Sequence, residues 1–98
     1  MLSIIIPTYN EERYLPKLLQ SIKKQGLNDY EIIIADNNSK DKTRQIAKKF
    51  KCNIVKGGKR PGIGRNNGAK IAKGNLLLFL DADCYLEKGF ISSLLKEF

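Results

Sequence analysis

Histidine and tryptophan are absent from the sequence, cysteine occurs twice and methionine once. Without imidazole there is no His general base, no Ser–His–Asp or Cys–His nucleophilic site and no zinc site that relies on His, so any metal must sit on oxygen ligands. Cys52 and Cys84 are too few for a disulfide scaffold and fit a reducing, intracellular compartment. The longest apolar run, Leu76-Leu77-Leu78-Phe79-Leu80, is far short of the ~20 residues that span a membrane. The start of the chain has neither a basic n-region nor a cleavage site, so no signal peptide is read. A Gly-x-x-x-x-Gly-Lys-Ser/Thr loop and a Gly-x-Gly-x-x-Gly turn after the first strand are also missing, which removes support for P-loop and dinucleotide-redox chemistry. These absences predict a soluble cytoplasmic protein.

The composition that remains is that of a folded domain. Hydrophobic residues make up 42% of the chain and charged residues 29%, enough apolar material for a core and an ordinary surface. The 98 residues suit a single domain spanning 1–98. The charge is uneven. Residues 40–73 hold twelve Lys or Arg against one acid, Asp41, a net of +11, whereas the rest of the chain is at −3. A basic middle calls for an anionic partner, such as phosphate, nucleic acid or a lipid surface, or else forms solvated helix faces.

Apolar periodicity divides the chain into alternating elements. Leu2–Ile6 reads as a buried strand, followed by Leu15, Leu18, Leu19 and Ile22 at helical spacing, with Asn10 as N-cap and Gly26 as the stop. Glu31–Asp36 is a second buried strand. Thr43, Ile46, Ala47 and Phe50 mark a second helix capped near Ser39 or Asp41, and a short strand follows around Asn53–Val55. A third helix from Gly62 to Lys73 has a small inner face of Gly64, Gly68, Ala69 and Ala72, with Gly74 as its C-terminal cap. Leu76–Leu80 is the last strand, and Phe90, Ile91, Leu94, Leu95 and Phe98 form a final helical stripe. The order βαβαβαβα predicts an α/β, Rossmann-like half-domain. Its sheet is mostly parallel, in order 3-2-1-4, with helices on both faces.

Such sheets bind ligands at the C-terminal ends of their strands, and three strand exits here are polar. Strand one ends in Pro7-Thr8-Tyr9-Asn10-Glu11-Glu12, strand two in Asp36-Asn37-Asn38-Ser39 and the last in Asp81-Ala82-Asp83. Two carboxylates two residues apart can hold Mg²⁺ or Mn²⁺ against a substrate diphosphate; alternatively, Asp83 caps the last helix. Asp36 is placed to accept a hydrogen bond from a base or ribose, whereas Ser39 and Asp41 suit helix capping. Arg65, at the start of the small-faced helix, can grip a diphosphate in a forked geometry or lie solvated. Cys84 is either a partly exposed thiol near the site or a buried filler.

The motifs Pro7-Thr8-Tyr9-Asn10-Glu11, Asp36-Asn37-Asn38-Ser39-x-Asp41-x-Thr43, Arg65-Asn66-x-Gly68-x5-Gly74 and Asp81-Ala82-Asp83 occur in this order. Each is weak alone, but the set is highly specific. Over essentially its whole length the sequence resembles the family-2 inverting glycosyltransferases of GT-A fold. The resemblance implies the half that binds a nucleoside-diphosphate sugar, most often UDP-linked. Pro7, Tyr9 and Glu11 match positions lining the nucleotide pocket, with Tyr9 near the base. Asp36 matches the residue that hydrogen-bonds the base, and Arg65 one near base and phosphates. Asp81 matches the position close to ribose and metal, and Asp83 the direct ligand of Mn²⁺ or Mg²⁺.

One departure stands out. Family members continue well past the Asp-x-Asp motif and supply an acceptor pocket and a carboxylate base, whereas this chain ends fifteen residues after Asp83. Glu87 and Glu97 come too early to match the base, so no catalytic base is identified. The chain therefore reads as a donor half: part of a longer protein, a short protein or one part of a complex. A strand Leu76–Leu80 without a further neighbour predicts a homodimer or aggregation through that edge. The acceptor is unassigned; the family admits lipid-linked and glycan acceptors and a place at the inner face of a membrane. Two other readings compete, a non-catalytic nucleotide-sugar-binding module and a nucleic-acid-binding domain. The second is weakened because Phe50 is the sole aromatic in the basic segment.

Overall fold

Runs of Ile and Leu build three of the four parallel strands and Asn53-Ile54-Val55-Lys56 the fourth, and the helices between them pack on the sheet. The structure, a computed structural model, describes residues 1–97. Its elements are β1 (Leu2–Thr8), α1 (Leu15–Lys23), β2 (Tyr30–Asp36), α2 (Thr43–Lys49), β3 (Asn53–Lys56), α3 (Pro61–Ile71), β4 (Leu76–Phe79) and α4 (Phe90–Leu95). The sheet order is β3-β2-β1-β4, all pairs parallel, as the alternation of elements predicts. Phe98 lies outside the described residues.

Right-handed crossovers decide which helix covers which face. The chain steps from β1 to β2 to β3 in one direction, so α1 and α2 share a face. It then returns across the sheet to β4, which puts α3 on the other. On the first face Ile4, Ile6, Ile32 and Ile34 pack against Leu15, Leu18, Leu19 and Ile22 of α1, Ala47 of α2 and Ile91 of α4. Each fully buried Leu or Ile contributes about 1.5–3 kcal/mol. On the second face α3 lies so close that a Cβ added at Gly68 would sit 2.6 Å from Ile5 Cγ2, and one at Gly64 would sit 3.2 Å from Ala35 Cβ. These two are the buried residues of α3, whereas Ala69 and Ala72 are half-buried. Among the described residues no helix is long and apolar enough to cross a membrane.

The ends of several elements differ from expectation. Asn10 does not cap α1, which begins at Leu15 with Pro16 in its first turn. Instead Asn10 adopts a left-handed turn at φ 52°, a conformation Asn tolerates better than most residues. Asp41, not Ser39, receives the Thr43 N–H at the start of α2 (2.9 Å). Gly74 is no left-handed cap. It is required because a Cβ there would meet Ser3 Oγ at 2.6 Å and the Met1 carbonyl at 2.7 Å. Its N–H donates to Ser3 Oγ (2.8 Å), which donates to Glu31 (2.6 Å), which also accepts the Lys73 N–H (2.6 Å). The capping alternative for Asp83 also fails. The last helix starts seven residues further on, at Phe90, after Gly89 in a left-handed turn.

Candidate active site

The C-terminal ends of β1, β2 and β4 bring the polar segments to one edge of the sheet. Pro7, Tyr9 and Glu11 line a cleft of about 170 Å³, together with Asn37, Lys59, Arg60 and Gly64. Tyr9 is 55% exposed, so a ring face is available to a ligand. At the exit of β4, carboxylate and thiol atoms of Asp81, Asp83 and Cys84 all lie within 4.8 Å of one another. Arg65 Nη2 reaches Asp81 Oδ1 at 3.5 Å, so α3 delivers its guanidinium to the metal-ligand candidates.

Charge is divided sharply across this edge. Burial raises the Glu11 carboxyl above its ordinary value, and the negative charges of Asp83, Asp41 and Asp81 raise it further. Lys59, Arg60 and Arg65 supply the opposite sign alongside. Asp81 and Asp83 are exposed oxygen donors on a strand exit, and the repulsion that Glu11 feels is what a bound divalent cation would relieve. The donor set therefore fits a hard cation that faces outward to a phosphate-bearing ligand.

Asp36 occupies a different place from the other candidates. It is 4% exposed. One oxygen accepts Thr8 Oγ1–H (2.6 Å) and Ser39 Oγ–H, and the other accepts the Ser39 N–H (2.9 Å) and faces Arg44 Nε at 3.6 Å. Its neighbour Asn37 lines the Tyr9 cleft, and Asp36 and Asn37 together line an adjoining cleft with Arg44 and Lys56. Strand periodicity explains the difference: Pro7 pairs with Ala35 and Thr8 with Asp36. Side chains alternate, so Pro7, Ala35 and Asn37 face α3 and the cleft, while Thr8 and Asp36 point to the α2 side. Counting by twos from Ile33, which packs on α3, would have selected Asn37. Lys59 and Arg60 also lacked a role in the sequence reading. A basic pair before a helix beginning with Pro is a weak signal until the β3–α3 connection is seen to return over β1.

The sequence profile described as "Glycosyl transferase family 2" matches residues 3–98. The poly(ribitol-phosphate) beta-N-acetylglucosaminyltransferase TarS of Staphylococcus aureus strain Mu50 is 39% identical over 97 residues, covering 88% of this chain and 17% of that protein. The crystal structure of S. aureus TarS 1-349 in complex with UDP-GlcNAc superimposes with a TM-score of 0.85 at 34% identity, over 97% of this chain and 30% of that one. The fold is likewise that of the mannosyltransferase PcManGT from Pyrobaculum calidifontis, in complex with GDP-Man and Mn²⁺ (TM-score 0.86, 22% identity, 97% and 31% covered). This chain thus spans less than a third of the length of these proteins. The family match over nearly every residue, on the GT-A sheet order and with the Asp-x-Asp exit in place, means that the chain belongs to glycosyltransferase family 2.

Proposed function

We propose that residues 1–98 are the donor-binding part of a glycosyltransferase that moves a sugar, with inversion, from a nucleoside diphosphate, UDP by preference. One observation carries this reading: an Asp81/Asp83 pair with Arg65 against Asp81, at the same sheet edge as a basic-lipped cleft that Tyr9 lines. Tyr9 stacks on the base and Pro7 packs beside it. Asn37 offers the amide for the base edge, while Asp36 anchors the wall behind. Arg65, Lys59 and Arg60 face the diphosphate, and Asp81 and Asp83 hold Mg²⁺ or Mn²⁺. When bound, the cation neutralises charge that builds on the departing diphosphate. Inverting transfer also needs a base on the acceptor hydroxyl, and no residue here is assigned that role.

The acceptor is a glycan or lipid-linked saccharide, reached from the cytoplasmic side at the inner face of a membrane. The GalNAc(5)-diNAcBac-PP-undecaprenol beta-1,3-glucosyltransferase of Campylobacter jejuni, 35% identical to this chain, supports a lipid-linked acceptor. A nucleic-acid partner is disfavoured. Lys59, Arg60 and Arg65 gather at the site, while Lys48, Lys49, Lys51, Lys70 and Lys73 are solvent-exposed around α2 and α3.

Calorimetric titration with UDP, with and without Mn²⁺, tests the donor reading. Wild type is expected to bind UDP more tightly with the metal. Asp83→Asn should weaken that binding at least about tenfold, the effect of losing one charged ligand contact. Asp83 is exposed, so the variant should melt like wild type. Metal-independent binding that ignores Asp83→Asn would overturn the assignment of this pair, and sugar transfer by the chain alone would exclude the non-catalytic reading.

A further inference from the structure

Tyr9 and Glu11 sit in the loop between the end of β1 and the first residue of α1 at Leu15. Three successive backbone N–H groups of that loop donate to side chains on the connection from β2 to α2 and on the first residue of α2, Thr43. Asn10 N–H donates to Ser39 Oγ (2.8 Å), Glu11 N–H to Thr43 Oγ1 (2.8 Å) and Glu12 N–H to Asp41 Oδ2 (3.1 Å). Lys40 N–H returns a bond to Asn10 Oδ1 (2.8 Å). Each hydroxyl also donates to a carboxylate, Ser39 to Asp36 and Thr43 to Asp41. A hydroxyl has a single proton. With that proton held by a carboxylate, only lone pairs remain for the loop, so both hydroxyls are locked as acceptors. Ser39 and Thr43 are 1% and 0% exposed, and neither can be reached by a ligand.

We propose that Ser39, Asp41 and Thr43 are positioning residues. They hold the Tyr9–Glu11 loop in the conformation that takes the nucleotide, so affinity depends on side chains the ligand never touches. This inference rests on the nucleotide-binding reading above. Preordering the loop removes an entropic cost that binding would otherwise carry. Thr43 is the clean member of the set, because Asp41 also caps α2 and Ser39 also ties down Asp36.

Thr43→Val keeps the shape and deletes the hydroxyl; Thr43→Ser restores it. Both are compared with wild type by amide hydrogen exchange resolved by residue, thermal melting and calorimetry with UDP and Mn²⁺. Wild type is expected to protect the Asn10, Glu11 and Glu12 amides. Thr43→Val should expose them while β1 and β2 stay protected, and should weaken UDP binding roughly three- to tenfold, the fold-change of one lost hydrogen bond. Thr43→Ser should recover both readouts. The inference is overturned if Thr43→Val binds UDP as wild type does, or if protection is lost throughout β1 and β2, which would make Thr43 only a core residue. A folded wild type that ignores UDP overturns the nucleotide reading and this inference with it. That outcome is distinct from wild type and Thr43→Val binding equally.

Discussion

Three carboxylates show how position sets the acidity and the pH response of this molecule. For Glu31 and Asp41 partial burial pushes the pKa up, but hydrogen bonds outweigh it and both groups end below their ordinary values. Glu31 receives the Ser3 hydroxyl and the Lys73 N–H, and Asp41 the Thr43 hydroxyl and N–H and the Glu12 N–H. A folded pKa below the unfolded one gives stability that is present above the unfolded value and lost as pH falls through the folded value. Stability should therefore decline below about pH 4.3, and Glu31→Gln should flatten that decline in denaturant titrations run from pH 7 to pH 3. Glu11 has the opposite sign: its raised pKa means that its contribution is present at low pH and lost as pH rises through the folded value. Glu11→Gln is accordingly expected to stabilise the metal-free protein at pH 7.

The α3 helix shows what an element gives up to lie close to a sheet. Glycine in a helix costs about 1 kcal/mol relative to alanine, and α3 carries three, Gly62, Gly64 and Gly68. Only the inner ones are needed. Gly68→Ala would push a methyl group to 2.6 Å from Ile5 Cγ2, and such overpacking is expected to destabilise by about 1–3 kcal/mol. A Cβ at Gly62 meets nothing within 4 Å, so Gly62→Ala should stabilise by about 0.4–1 kcal/mol. Urea denaturation of the two variants beside wild type checks both signs. If Gly68→Ala were neutral, α3 would not lie in close contact with Ile5.

Among the described residues the sheet is open at both edges, β3 and β4, and the β4 edge carries exposed large apolar side chains. β4 pairs with β1 on one side, and its other side faces no strand among the described residues. Leu76 and Leu78 pack into the core, whereas Leu77 and Phe79, in register with Ser3 and Ile5, fall on the α3 face beyond the reach of that helix. They are 42% and 43% exposed. An apolar pair next to a free edge invites a partner strand, and we predict self-association of the isolated chain through it. Sedimentation should show mass rising with concentration for wild type and a monomer for Leu77→Lys/Phe79→Lys. A wild type that stays monomeric across the range would remove this surface from consideration.

The element order, the parallel sheet and its strand order were legible in the amino-acid sequence. Ile and Leu runs, apolar residues at helical spacing and right-handed crossovers are local or chiral rules that a linear pattern expresses directly. The polar exit of the last strand at Asp81-Ala82-Asp83 was legible as well, because a strand end is marked in the linear pattern; that Arg65 reaches Asp81 is seen in the structure. Other features depended on through-space geometry. Gly74 looked like a helix cap and proved to be a point of backbone contact with β1. Asp83 looked capable of capping a helix that starts seven residues later. That Asn37 lines the Tyr9 cleft while Asp36 faces the α2 side was hidden, because strand parity is set by which residues pair across β1 and β2. The hydrogen bonds that join residues 10–12 to residues 39–43 span about thirty positions of sequence. Local propensity does not encode such contacts; they exist only once the sheet brings two strand ends side by side.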